Sequence, residues 1–324
     1  MDKKISPASS LPATSVRHVE VGREQQGQRL DNFLIKTLKN LPRTRLYRLI
    51  RKGEVRVNKK RVKPEYKLCP GDIVRIPPLR LAEHDDQRIV IPDELLDLLG
   101  RSILYENDSV LIVDKPAGLA VHSGSGVRYG LIDAMRRLRP DCPIELVHRL
   151  DRDTSGCLLL AKHRQALLAM QRLLRSDALQ KHYVAVVRGH WPGELLRIDT
   201  RLKRVTMPNG ENKVFADEAG QAAETLIEAV RYAERDGLDL SWLDIRLMSG
   251  RTHQIRVHCQ NAGHEIGGDA KYGDREFNRR LRQLGCKRLM LHAGSLDLPA
   301  TDHTKAINVV APLPAEFKLL FADV

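Results

Sequence analysis

His148-Arg149-Leu150-Asp151-Arg152-Asp153-Thr154-Ser155-Gly156 gathers two arginines, two aspartates and a histidine into nine residues. It then runs directly into Cys157-Leu158-Leu159-Leu160-Ala161. An apolar run of that length, bounded by a glycine, predicts a buried strand. The charged nonapeptide is therefore expected at the lip of a sheet, where a strand steadies polar side chains within reach of a ligand. Taken alone, an Asp-Arg-Asp triplet is more often a solvated loop with a weak surface ion pair. Its meaning has to come from the rest of the chain.

Charge is unevenly placed. The net charge over 324 residues is +13, and residues 18–80 hold 17 Lys and Arg against six Asp and Glu. Residues 1–17 add a further +2, which leaves 81–324 neutral with 34 groups of each sign. A basic module joined to a neutral body points to a polyanionic partner. The length suits one large domain plus a smaller one. No apolar run of 18 residues exists, so no membrane span is expected, and the lysine-containing N-terminus has no apolar segment of the signal-peptide kind. The five cysteines are odd in number and form no C-x-x-C pair, which suggests free thiols in a reducing cytoplasm.

Within the basic module, Leu30, Phe33, Leu34 and Leu38 fall on one helical face, and Pro42 is expected to end that helix. Thr44 is placed to cap a second helix with Leu46, Leu49 and Ile50 inward, stopped by Gly53. Residues 54–62 alternate and turn as a hairpin does, and Pro70-Gly71-Asp72 precedes a strand at 73–76. Ten basic residues and one acid lie between Arg43 and Lys63. A solvated helix face explains such charge in the helix but not its continuation through the hairpin. Arg43, Arg45, Arg48, Arg51, Lys52, Lys59, Lys60 and Arg61 are the candidate RNA contacts. Helix, turn, helix and hairpin carrying R-x-I-R-K-G-E-V-x-V-N resemble the S4 RNA-binding domain over residues 27–77.

Residues 81–100 turn acidic, with a short Leu-rich helix ending at Gly100, and are expected to be a linker. The domain plan is then a disordered lead-in over 1–17, the basic module over 18–80, this linker, and a body over 101–324. In the body, strands are expected near 109–114, 181–189, 243–247 and 288–293, and an amphipathic helix over 164–175. Residues 201–223 suggest an insertion or hairpin, and Thr252 is placed to cap a helix ending near Gly263.

The nonapeptide matches H-R-L-D-x-x-T-S-G, the hallmark of the RluA-type pseudouridine synthases, at every fixed position. Lys115-Pro116-x-Gly118 with His122, Lys181-x-Tyr183-x-Ala185 and Gly250-Arg251-Thr252-His253-Gln254-Ile255-Arg256 match the same family in order. Asp269, Tyr272-Gly273 and Leu291-His292-Ala293 extend the match over nearly the whole body. The resemblance implies an α+β protein, with a catalytic body built on a mixed, mainly antiparallel sheet. It makes Asp151 the catalytic carboxylate, Arg256 its partner, and Arg149 the side chain that fills the space a flipped uridine leaves. Tyr183 would lie beneath the base and offer a phenol to relay the C5 proton. His148 is expected to orient the loop, and Lys115 and His122 either to bind phosphate or to brace the fold.

Pseudouridine formation breaks N1–C1′, turns the uracil and joins C5 to C1′. No redox step or phosphate cleavage occurs, so neither a metal nor a nucleotide cofactor is expected. One carboxylate able to attack or stabilise C1′ suffices. His253, His258 and Cys259 lack a second ligand cluster at zinc spacing and are assigned structural roles. Within the family, R-K-G-E-V-R-V-N-K-K-R-x-K-P-E-Y-K-L and the G-S-G after His122 resemble the RluC type. That type modifies several uridines of bacterial large-subunit (23S) ribosomal RNA, so 23S rRNA or a large-subunit precursor is the expected partner of a monomer.

Other readings stay open at this stage. One is the related large-subunit synthase of a different rRNA helix, and another is a non-catalytic S4-type ribosome assembly factor. A base-excising enzyme that stops after N1–C1′ cleavage would release free uracil. Each phosphate neutralised by Lys or Arg lowers the slope of log affinity against log salt by about 0.7–0.9. Deleting residues 1–80 should therefore weaken binding to an rRNA fragment and flatten its salt dependence by several such increments. An unchanged slope in a titration series would mean that the body alone holds the RNA.

Overall fold

A computed structural model describes residues 15–38, 41, 43–79, 90–124, 127–208 and 210–321. Pro42, most of the lead-in and the linker stretch 81–89 lie outside them. The chain divides into two compact units, Met1–Val90 and Ile91–Val324.

The first unit contains β1 (Arg17–Glu20), α1 (Leu30–Thr37), α2 (Arg43–Lys52), β2 (Arg56–Val57) and β3 (Ile73–Ile76). Its antiparallel sheet has the order β1-β3-β2. The 3.6-residue spacing of Leu30, Phe33, Leu34, Leu46, Leu49 and Ile50 sends all six into one core with Val57, Val74 and Ile76. Thr44 does not cap α2, because the helix begins one residue earlier and takes Thr44 into its first turn. Asn58 and Lys59, both at positive φ, make the tight turn after β2 that suits the twist of paired strands. Gly53 ends α2 at φ +72, and a Cβ there would run into the Arg61 side chain. That packing brings Arg61 and Lys63 to the same groove as Arg51 and Tyr47 of α2. Arg48, Arg51, Lys52, Lys59, Lys60 and Arg61 are exposed, and Arg45 is half-buried.

The second unit opens with α3 (Asp93–Arg101), β4 (Ile103–Glu106) and β5 (Val110–Lys115). Residues 91–100, expected in the linker, belong here. Ile91 and Leu99 are buried in the unit's core, and the acids Asp93 and Glu94 sit in the first turn of α3, where the helix dipole favours them. Then come α4 (Leu131–Leu138), β6 (Glu145–Leu146), β7 (Ser155–Ala161), α5 (Arg164–Arg175), β8 (Gln180–Arg188) and β9 (Arg197–Asp199). The chain continues through β10 (Leu202–Thr206), β11 (Asn212–Ala216), β12 (Glu224–Arg235), β13 (Leu238–Leu247) and α6 (Gln254–Asn261). It ends with α7 (Arg275–Gln283), β14 (Leu291–Leu298), β15 (Ile307–Val310) and α8 (Ala315–Leu320). The expected strand at 288–293 thus starts only at Leu291, since the Met290 amide just before it donates to the Gly267 carbonyl at 2.8 Å and not to a neighbouring strand.

One ten-stranded sheet carries the unit, in the order β4-β5-β7-β14-β8-β13-β12-β9, with β15 beside β14 and β6 beside β7. Among the described residues, only β7 and β14 pair in parallel. The fold is α+β with a mixed, mainly antiparallel sheet, as expected. All seven residues of β7 are buried. Leu158 and Leu160 enter the core on one face, while Cys157, Leu159 and Ala161 enter the core on the other. Apolar packing on both faces is why this strand is a continuous run and not an alternating one.

The parallel pairing sets Gly156 opposite Ala293. At φ +105, a Cβ on Gly156 would fall 2.2 Å from the Ala293 carbonyl oxygen. Neither the dihedral nor the space admits a side chain. Gly156→Ala should lower the unfolding free energy by about 3 kcal/mol. Denaturant unfolding of the purified variant would check this, and a loss within error of zero would contradict the close approach.

Candidate active site

The nonapeptide leads into the N-terminal end of β7 and is held at several points. Lys115, at the end of β5, is fully buried, and its ammonium donates to the carbonyls of Pro116, Leu119 and Arg152 at 2.8–2.9 Å. Burial pushes its pKa down to about 7 even as these acceptors use all three N–H bonds. Lys115 is thus a brace under the loop. At the strand's first residue, Ser155 Oγ lies 2.7 Å from His292 Nδ1 of β14 and accepts from the Arg288 guanidinium. His148 accepts the Leu159 amide on Nε2 at 3.1 Å. Burial, with Lys181 adding, pushes its pKa down to about 4, which keeps that nitrogen free to accept. His148 therefore orients the loop, as its position suggests.

What this scaffold presents is Asp151, whose side chain is about a quarter exposed. Its Oδ2 accepts from Arg256 Nη1 at 3.0 Å. Arg256 lies in the first turn of α6, where the positive end of the helix dipole disfavours a cation. Two carboxylates answer it. Asp269 takes Nε and Nη2 as a bidentate pair at 2.7 and 2.8 Å, and Asp151 takes the remaining nitrogen. Burial works against the guanidinium's charge, but these two acids outweigh it and hold its pKa above the ordinary arginine value. Burial likewise works against the Asp269 carboxylate. Arg256 and the Lys271 and Tyr272 amides overcome that and hold its pKa below the ordinary value of 3.8.

Thr252 is not the cap of α6. The N-cap is His253, in the left-handed region at φ 55, and the preceding turn is organised by Gln254. Gln254 Oε1 accepts from Ser249 Oγ at 2.7 Å and from the Arg251 amide at 3.1 Å. This places His253 Nε2 3.9 Å from Asp151 and Nδ1 2.8 Å from the Tyr272 hydroxyl. His258 pairs elsewhere, with Thr225 Oγ1 at 2.9 Å.

Asp151 opens onto a cleft of about 1590 Å³ that also takes in Arg149, Tyr183, Lys181, His122 and Arg256. Arg149 is exposed there, whereas Tyr183 on β8 is 7% exposed. Burial, and then the Asp151 charge, push the Tyr183 phenol up, so it stays protonated at neutral pH. Asp153 pairs with Arg152 at 3.0 Å on the surface, in keeping with a variable position. The structure thus brings Asp151, Tyr183, Arg256 and Arg149 into one cleft. Asp269 and Tyr272 were legible only as an extension of the motif, and their direct ties to Arg256 and His253 are visible only in three dimensions.

Breaking a buried pair strands the remaining charge, at a cost of about 3 kcal/mol. Asp269→Asn should therefore destabilise the protein by about that amount near pH 7. Because the folded pKa of Asp269 is depressed, its contribution is full above pH 4 and is lost as pH falls through the folded value. The stability difference between wild type and variant should shrink on acidification. A difference that is constant from pH 6 to pH 3 in denaturant titrations would contradict the assignment.

Residues 109–261 match the RNA pseudouridylate synthase family and residues 28–74 match the S4 domain. The chain is 44% identical over 308 residues to Ribosomal large subunit pseudouridine synthase C of Escherichia coli (strain K12), covering 94% of this chain and 95% of that protein. It is 43% identical to the protein of that name from Haemophilus influenzae, covering 95% and 94%. Among solved structures, Human RNA Pseudouridylate Synthase Domain Containing 4 superposes with a TM-score of 0.57 at 26% identity, over 71% of this chain and 95% of that one. Near-complete coverage at such identity agrees with the hallmark carboxylate at the mouth of the cleft, and the chain belongs to the RNA pseudouridylate synthase family.

Proposed function

We propose that this enzyme isomerises uridine to pseudouridine at several positions of bacterial 23S ribosomal RNA. The observation that carries the reading is Asp151, held 3.0 Å from Arg256 in a cleft that also contains Tyr183 and Arg149. The relatives named for the large ribosomal subunit, matched along almost the entire chain, favour that RNA as substrate. The basic S4 domain supplies the phosphate contacts such a substrate needs. One chain carries both parts, so a monomer acting in the cytoplasm suffices.

The target uridine leaves its stack and enters the cleft, and Arg149 takes the vacated space. Asp151, kept in place by Arg256, acts at C1′ as the N1–C1′ bond breaks. The freed uracil turns over the Tyr183 ring and C5 bonds to C1′. C5 then loses its proton and N1 gains one, so the product is an isomer. A phenol with a raised pKa is better suited to hold the turning base by a hydrogen bond than to take the C5 proton as a base.

Asp151→Asn keeps the shape but not the anion. It should abolish pseudouridine formation while leaving affinity for an rRNA fragment within about threefold, a change too small to be a lost charge-assisted contact. Turnover above a few per cent of wild type would remove Asp151 as the essential carboxylate. Pseudouridine mapping in 23S rRNA from a strain lacking the gene would test the substrate. If every site modified in the parent strain is still modified in that strain, the reading is excluded.

A further inference from the structure

β10 and β11 form a two-stranded ribbon separate from the large sheet. Leu202 and Val214 pack inward with Ala223, Val257 and Tyr272. The ribbon is fastened by the Val214 amide, which donates to the Tyr272 hydroxyl at 3.0 Å, and by Lys271 Nζ, which donates to the Asn212 carbonyl at 2.6 Å. Strand alternation sets Lys203, Val205, Lys213 and Phe215 on the opposite face. There Phe215 is 39% exposed, whereas the other four phenylalanines are buried.

A single exposed aromatic is ordinary. What distinguishes Phe215 is the series of groups behind it. Lys213 Nζ lies 5.5 Å from the centre of the Phe215 ring and 5.6 Å from that of Tyr272. The Arg256 guanidinium lies 5.0 Å from the same Tyr272 ring and reaches Asp151 at 3.0 Å. Alternating cations and rings thus connect the catalytic carboxylate to one outward-facing ring. Lys213 and Glu211 line the same cleft as Asp151.

We propose that Phe215 is a stacking platform for an unpaired nucleobase next to the target uridine, with Lys213 set against the adjoining phosphate. This rests on the pseudouridine synthase reading. Flipping the target removes a stacking partner from its neighbours, and an aromatic face beside the cleft restores one. Every base has such a face, and stacking on a protein ring is worth about five- to a hundredfold in affinity. The lysine at the ring favours a nucleotide over an apolar peptide. Lys203 on the same face is already paired with Asp217 at 3.0 Å, which leaves Lys213 as the cation that serves the phosphate.

The test uses full-length protein and an rRNA fragment carrying 2-aminopurine at one position at a time within about three nucleotides of the modified uridine. Stacking should quench the fluorophore at one flanking position on binding to wild type. Phe215→Trp should retain the quenching, while Phe215→Leu, which keeps apolar bulk but has no π face, should lose it. The Leu variant should raise KM about tenfold with kcat within about twofold of wild type. No quenching at any position, or a Leu variant indistinguishable from wild type, would overturn the platform alone if wild type still makes pseudouridine in the unlabelled fragment. If wild type makes none, both the platform and the proposed function fall.

Discussion

A buried guanidinium shared by two carboxylates is the interaction on which the rest of the site depends. Arg256 cannot stand alone where it is, inside the protein and at the positive end of a helix. Asp269 answers it with two short hydrogen bonds, and Asp151 completes the set from the other side. The unequal division matters. The bidentate partner is fully buried and also takes two backbone amides, so it fixes the guanidinium plane. The monodentate partner keeps an oxygen for chemistry and about a quarter of its surface for substrate. An arginine suits this arrangement because its planar fork serves two acids at once, which a lysine's point charge does not.

The loop that delivers Asp151 is held by the same economy of means. A buried ammonium collects three carbonyls beneath it, and a serine–histidine contact joins the two parallel strands where the loop becomes sheet. None of these groups needs to touch RNA. They make the carboxylate's position a property of the sheet and not of a mobile segment, as catalysis by positioning requires. The ribbon of β10 and β11 is the contrasting part. It buries only a small cluster, yet the Tyr272 hydroxyl ties it to the histidine nearest Asp151.

Much of the architecture was legible residue by residue. The five-residue apolar run ending at Ala161 announced β7, because a strand covered on both faces leaves no polar alternation. The 3.6-residue spacing around Leu30 and Leu46 announced both helices of the basic unit. The errors came where local rules compete. Thr44 and Thr252 are good capping residues, but α2 starts earlier, and the turn before α6 is built by Gln254 and a left-handed His253. The acids at 93–94 suggested a linker, yet they are the dipole-matched start of a packed helix.

Sequence by itself determined the binary pattern of the core and the separation of a basic unit from a neutral one, and through its motif it singled out Asp151 as the carboxylate to propose for catalysis. Each of these is local, carried by residues close together in the chain. The motif match also named Arg256 as the partner of that carboxylate, but only the tertiary structure showed that Asp269 takes the other side of the guanidinium and that His253 and Tyr272 stand behind it. Asp151, Arg256 and Asp269 are brought together from a strand-end loop, a helix start and a turn. Lys213 reaches the same cleft only because a separate ribbon packs against Tyr272. Contacts between residues so far apart in the chain depend on the summed packing of the whole sheet, and no spacing rule encodes that sum.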